Sequence, residues 1–305
     1  MRGLALSEKL FRDHFMPMIN KELPEAIPYF EAGLVGEGSE CFGYDDDVSL
    51  DHDCDVRLCI WMDDEWIGKF GVQLQEILQK MPPEICGRKT NLMQNGKSGL
   101  LRTEDFYQHL LGRRSAPETN REWLEADETM LACSVNGKVF TKTETSFMAV
   151  REKLLGYYPE DVRLIRLARA IGLSAQAGQY NYLRMIKRND PAAAEMSKQV
   201  FIESAVQAVF LLEKTYKPFY KWTFRKMREL KCLGKAAFPE IYRLYRLGDA
   251  EAFHAIEEIS GMIIDEMRRQ ELSEGKSDFL MDHIPELAKR VNEQGLLANG
   301  ISLVR

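Results

Sequence analysis

Between Gly36 and Trp61 the chain reads GEGSECFGYDDDVSLDHDCDVRLCIW, eight carboxylates followed by an apolar run. Asp51, Asp53 and Asp55 alternate with His52 and Cys54 just ahead of that run. In an extended strand alternate side chains share a face, and successive same-face positions lie about 6–7 Å apart. Like charges at that spacing repel unless a cation stands between them. Two carboxylates so placed converge on one or two divalent ions, a two-metal pair being about 4 Å apart. Upstream, Gly38 lets the backbone approach a phosphate closely, and Ser39 offers a hydroxyl and an N–H to its oxygens. The chemistry suggested is a divalent ion carrying a polyphosphate, with Asp51 and Asp53 as metal ligands. His52, on the opposite face, reads as packing behind the site. Cys54 and Cys59 read as inert thiols on or near a buried strand, and Trp61 and Trp66 as core or rim aromatics.

The elements that must position these residues follow from periodicity. Residues 6–21 carry an apolar helical stripe that Pro24 and Pro28 end. Residues 32–38 read as a short buried strand running into a glycine turn, and 55–61 as a second strand. A helix is expected over 65–81, stopped by Pro82-Pro83. Residues 130–144 carry a hairpin signal, two alternating runs joined at Asn136-Gly137. After about residue 147 strand-like runs cease and amphipathic helices follow. One opens at Asp190-Pro191, an N-cap with proline at the first helical position, and others near Pro218, Phe238, Asp249 and Ser277. The fold class expected is α+β: a mixed sheet with flanking helices over 1–147, then an all-α helical bundle over 148–305.

Composition narrows the function classes. With 305 residues, 45% apolar and 29% charged, the chain has the composition of an ordinary globular protein of two domains. A net charge of −6 lacks the broad basic surface that long nucleic acid requires, although it leaves room for a local nucleotide site. No apolar stretch nears the roughly 20 residues that span a bilayer. Charges within the first twenty residues interrupt any signal-peptide core, and six scattered cysteines without a C-x-x-C pair read as free thiols. A cytoplasmic location is the expectation, and no histidine pair has zinc-ligand spacing.

Gly38-Ser39, a spacer, then Asp51-His52-Asp53 at a strand resembles the signature of the nucleotidyltransferase fold, the DNA polymerase beta superfamily. Over longer stretches the chain resembles a bacterial family in which a nucleotidyltransferase domain precedes a helical domain. The stretches are GEGSECFGYDDDVSLDHD, VNGKVF (135–140), REKLLGYYPEDVRLIRLA (151–168), AGQYNYLRMIKR (177–188) and YKPFYKW (216–222). Aminoglycoside nucleotidyltransferases share that two-domain layout, an analogy of architecture and not of substrate. The resemblance implies a third carboxylate on a later strand. After Phe140 the chain reads Thr141-Lys142-Thr143-Glu144, so Glu144 or Asp55 is the candidate.

In the helical half, Lys221, Arg225 and Arg228 share a helix face, and Arg184, Lys187 and Arg188 form a second cluster. Such stripes are ordinarily solvated. Beside stretches that resemble the family they become candidates to hold a triphosphate, with Tyr180, Asn181, Tyr216 and Tyr220 to stack on a base or bond a sugar. The function implied is Mg2+- (or Mn2+-) dependent transfer of a nucleoside monophosphate from an NTP to a small-molecule or protein acceptor. Asp51 and Asp53 would hold metal, Gly38 and Ser39 the phosphates, and Asp55 or Glu144 would act as base. The alternative is a non-catalytic nucleotide sensor or partner-binding protein that retains the fold. The sequence specifies neither the base, nor the acceptor, nor the oligomeric state.

Overall fold

A computed structural model describes residues 2–48, 55–92 and 96–296. The chain divides into two compact units. The first comprises Met1–Pro117 and Ala126–Gly156, the second Glu118–Glu125 and Tyr157–Arg305. The first unit therefore extends past residue 147, because the helix that follows packs into its core, while a short excursion at 118–125 belongs to the second.

In the first unit, α1 (Gly3–Leu10) and α2 (Met16–Glu22) flank a π-helical turn, Phe11–Phe15. Then come β1 (Phe30–Leu34), β2 (Cys59–Met62), α3 (Asp64–Gln79) and a small antiparallel ribbon, β3 (Glu84–Ile85) with β4 (Arg88–Lys89). After these follow β5 (Gly99–Arg102) and α4 (Thr103–Leu111). Past α5 (Asn120–Glu125), the unit closes with α6 (Glu128–Val135), β6 (Lys138–Val139) and α7 (Ser146–Leu155). The main sheet is mixed, in the order β5-β2-β1-β6. Here β1 runs antiparallel to both β2 and β6, and β2 runs parallel to β5.

Every residue of β1 and β2 is buried, because both faces of the sheet are covered and strict alternation is not required. On one face Phe30, Ala32, Ile60 and Met62 join Leu10, Phe15, Phe70, Leu74 and Ile77 in a single core. On the other, Trp61 stacks on Phe147 of α7 at 4.1 Å and meets Phe106 of α4 edge-on at 5.4 Å. Trp61 is thus a core aromatic. Trp66 stacks on Tyr29 at 3.7 Å at the rim.

The hairpin expected at Asn136-Gly137 is absent: residues 128–135 form a helix. Asp127 caps it by accepting from the Met130 N–H at 3.1 Å, and Leu131, Ala132 and Cys133 are buried. A capped N-terminus and a core to pack against override a local strand pattern. Only the downstream half, β6, is strand.

Buried on β1 is Glu31, a carboxylate with no cation beside it in its hydrogen-bond set. It accepts from the hydroxyls of Thr141 and Thr145 (3.2 Å for the latter), from the Thr143 N–H at 3.1 Å and from the Thr143 hydroxyl at 2.5 Å. This is what the Thr-Lys-Thr-Glu-Thr stretch accomplishes: it fastens the segment after β6 to the start of β1.

In the second unit α5 is followed by α8 (Glu160–Ser174), which continues through a π-helical segment, Ala175–Tyr182, into α9 (Leu183–Lys187). The rest is α10 (Pro191–Leu212), α11 (Tyr220–Glu229), α12 (Leu233–Arg243), α13 (Asp249–Arg269) and α14 (Ile284–Arg290). The expected cap at Asp190 is present, accepting from the Ala193 N–H at 3.0 Å. The molecule is α+β, with the strands confined to the first unit. Among the described residues no helix is long and apolar enough to cross a membrane.

Glu31→Gln turns an amide N–H2 toward groups that are themselves donors. It should cost about 1–3 kcal/mol and lower the urea midpoint of the first unit followed by Trp61 and Trp66 fluorescence. An unchanged midpoint would show that the charge is not what holds this segment.

Candidate functional site

β1 ends at Leu34 and β2 begins at Cys59, with Gly33 opposite Cys59. Antiparallel pairing therefore brings the turn that leaves β1, Gly36 to Ser39, to the same end of the sheet as Asp55, which precedes β2. Segments far apart in sequence become neighbours because one strand exits where the other enters.

Three sets of contacts fix the turn. The first is Arg57, a buried guanidinium just before β2. It donates to the Glu37 carbonyl at 2.7 Å, the Lys97 carbonyl at 3.2 Å, the Cys41 sulfur at 3.2 Å and the Glu40 carboxylate. Burial opposes the charge on Arg57, yet its pKa lies above the ordinary range, with the adjacent Glu40 carboxylate among the groups that raise it. The thiols behind it are neutral. Burial pushes Cys41 well above its usual value and Cys59 up to about 12, so Cys59 is inert as expected. Cys54 lies outside the described residues.

The second is Asn136, at the C-terminal end of α6. Its side chain accepts from the Gly36 N–H at 3.0 Å and donates to the Gly36 carbonyl at 2.7 Å, pairing with that residue as a neighbouring strand would. Arg151 on α7 holds Asn136 in turn, donating to the carbonyls of Ser134 (2.8 Å), Val135 (3.0 Å) and Asn136 (2.7 Å). These are the unsatisfied carbonyls of a helix end. The third is the start of α1. Asp45 accepts from the Gly3 N–H at 2.8 Å, Arg2 donates to the Gly43 carbonyl at 2.9 Å, and a Cβ at Gly3 would lie 2.6 Å from that of Glu40.

Gly38 is the exposed point of the turn, at φ +124°, a conformation side chains strain to adopt. A Cβ there would meet the Glu40 carboxylate at 2.5 Å. Ser39 beside it is half-buried, and its carbonyl accepts from the Tyr44 N–H at 2.8 Å.

Three of the upstream acids find side-chain partners within the chain. Glu40 pairs with Arg57, Glu37 with His109 at 2.9 Å, and Asp45 lies 3.9 Å from Arg88. Asp55 accepts from the Asn91 amide at 3.2 Å. Asp51, Asp53 and His52 lie outside the described residues. Among the described residues no group of three His, Cys, Asp or Glu side chains could hold a metal ion.

Glu144 is not brought to this end of the sheet. Thr143 bonds the Phe30 carbonyl at 2.9 Å, at the start of β1, so Glu144 sits at the end opposite Gly36 and is exposed. The reason is the direction of β6, which runs antiparallel to β1 away from the turn. Of the two third-carboxylate candidates, Asp55 alone is at the turn.

The candidates of the second unit make contacts of their own. Arg184 lies over the Tyr180 ring at 4.5 Å, and both are exposed. Lys187 is exposed and Asn181 half-buried on the same helical stretch. Lys221 lies over Trp222 at 5.1 Å on α11, with Arg225 half-buried one turn on. α9 packs on α10 and α13, α11 on α12. Tyr216 is core, packed between Tyr157 at 4.7 Å and Tyr158 at 5.0 Å. Tyr220 is exposed against Phe219 at 4.3 Å.

Residues 123–223 match a domain of unknown function (DUF4037), a stretch that includes α6 and α7 of the first unit and α8 to α10 of the second. A solved structure of a nucleotidyltransferase-like protein from Exiguobacterium sibiricum is similar over 95% of this chain and 92% of that chain, at 11% identity and a TM-score of 0.36. A superposition that loose carries no functional argument. No curated protein matches the chain.

Asn136→Ala removes both bonds to Gly36. Amide hydrogen exchange over 36–40 should rise by about tenfold or more, the equivalent of losing one to two hydrogen bonds. Exchange at the wild-type rate would mean that Asn136 does not hold the turn.

Proposed function

We propose that the chain is a nucleotidyltransferase-fold protein that binds a nucleoside triphosphate at the turn Gly36–Ser39 and transfers its nucleoside monophosphate to an acceptor. The observation that carries the reading is the β1–β2 pairing, which brings the glycine–serine turn and Asp55 to one end of the sheet. In this reading the Gly38 backbone and the Ser39 hydroxyl and N–H donate to phosphate oxygens. Arg57 neutralises Glu40, whose carboxylate lies over Gly38 and would otherwise repel the polyphosphate. Asp55 would accept the acceptor's proton. Asp51 and Asp53, four and two residues upstream, are the proposed ligands of Mg2+ or Mn2+. Such an ion, when bound, supplies charge stabilisation for the transferring phosphoryl group.

A second reading, a nucleotide sensor without transfer, is favoured by one observation. Among the described residues no carboxylate from a later strand joins Asp55 at the turn, since Glu144 is at the other end and β5 is preceded there by Lys97-Ser98.

Titration with each NTP, with and without Mg2+, tests both. Binding should require Mg2+, and Asp53→Asn and Gly38→Ala should each weaken it by at least about tenfold, the loss of one charge-assisted contact. Absence of NTP binding by the wild type, or unchanged affinity in both variants, would sink the assignment. Pyrophosphate release in the presence of a metabolite extract separates transfer from sensing. Tight binding without release selects the sensor.

A further inference from the structure

Away from the glycine turn, the second unit carries a cavity of about 300 Å3 between α8 and α10. Residues at spacings of three and four build its walls. Arg166, Arg169, Ala170 and Leu173 come from one helix, Val200, Glu203, Ser204 and Gln207 from the other, with Lys217 closing it from the loop before α11. Three cations thus face one carboxylate across a hollow of ligand size. Leu173 and Val200, 44% and 42% exposed, leave aliphatic surface at the same hollow.

The fold fixes Arg166. Arg166 donates to the carbonyls of Trp123 at 3.2 Å and Leu124 at 3.1 Å at the end of α5, and lies 4.8 Å over the Tyr158 ring. Lys217 follows Tyr216, which is locked between Tyr157 and Tyr158. Arg169 stands beside Arg166, and burial together with that like charge presses its pKa below the ordinary range. The planar forks of guanidiniums that face a hollow match the geometry of an oxyanion.

We infer that this cavity is a binding site for a small organic oxyanion, a phosphate or carboxylate group attached to an apolar body. The charged group would be held by Arg166, Arg169 and Lys217 and the body by Leu173 and Val200. The inference does not depend on nucleotide binding at the glycine turn.

Calorimetric titration of the full-length chain with phenyl phosphate, benzoate and inorganic phosphate is the test. Phenyl phosphate or benzoate should bind more tightly than inorganic phosphate, because only they fill the aliphatic wall, and whichever of the two binds better identifies the charged group. Arg169→Gln and Lys217→Gln should each weaken binding by about tenfold. Glu203→Gln, which removes the opposing charge, should tighten it by about threefold. Opposite signs from neighbouring substitutions do not arise from unfolding, so the pattern is diagnostic. No binding of any probe at millimolar concentration, or equal affinity across the three variants and the wild type, overturns the proposal.

Discussion

The buried Arg57 guanidinium is the contact on which the arrangement of the first unit's glycine turn depends. It sits at the entrance to β2, yet three of its four partners belong to the segment that leaves β1. Taking such a charge out of water is costly, and removing one partner of a buried pair costs about 3–5 kcal/mol. The position is sustained because Glu40 neutralises it while two carbonyls and a sulfur accept from its terminal nitrogens. The turn is consequently tied to the strand that follows the aspartates, and Asn136 and the start of α1 complete its support from two other sides. Gly38 is left exposed at the point of a rigid turn, which is the condition a phosphate-binding backbone requires.

That architecture changes the meaning of the acidic run. Crowded carboxylates need counter-charge, and arginines of the same unit supply it to Glu40 and Asp45, while His109 hydrogen-bonds Glu37. Asp51 and Asp53 remain the proposed metal ligands, with Asp55 at the start of the following strand segment.

Much of the fold is visible in the sequence. The helix expected over 65–81 is α3, the cap at Asp190 opens α10, and the strand expected before the glycine turn is β1. Asn136-Gly137 misleads because Leu131–Ser134 have a core to bury against, and a two-residue turn signal says nothing of that. Arg57 escapes notice for a related reason: within Asp-Val-Arg-Leu-Cys-Ile-Trp it looks like any polar strand residue, and its importance lies in contacts 16 to 40 residues away. Arg166 and Arg169 carry no motif in the sequence, and the cavity between α8 and α10, closed by Lys217, is what sets them apart. Glu144 lies at the end of the sheet opposite Gly36 through strand direction alone. Each miss is tertiary, since local pattern predicts an element but not which face of it another element will cover.

The claim that Arg57 organises the turn for phosphate is tested most directly by Arg57→Lys, titrated with Mg2+ and the NTP that binds wild type best. Lysine keeps the charge beside Glu40 but lacks the planar fork that reaches Glu37 and Lys97 together. The account predicts an affinity at least about tenfold weaker, with far-ultraviolet circular dichroism unchanged. Wild-type affinity in that variant would contradict it.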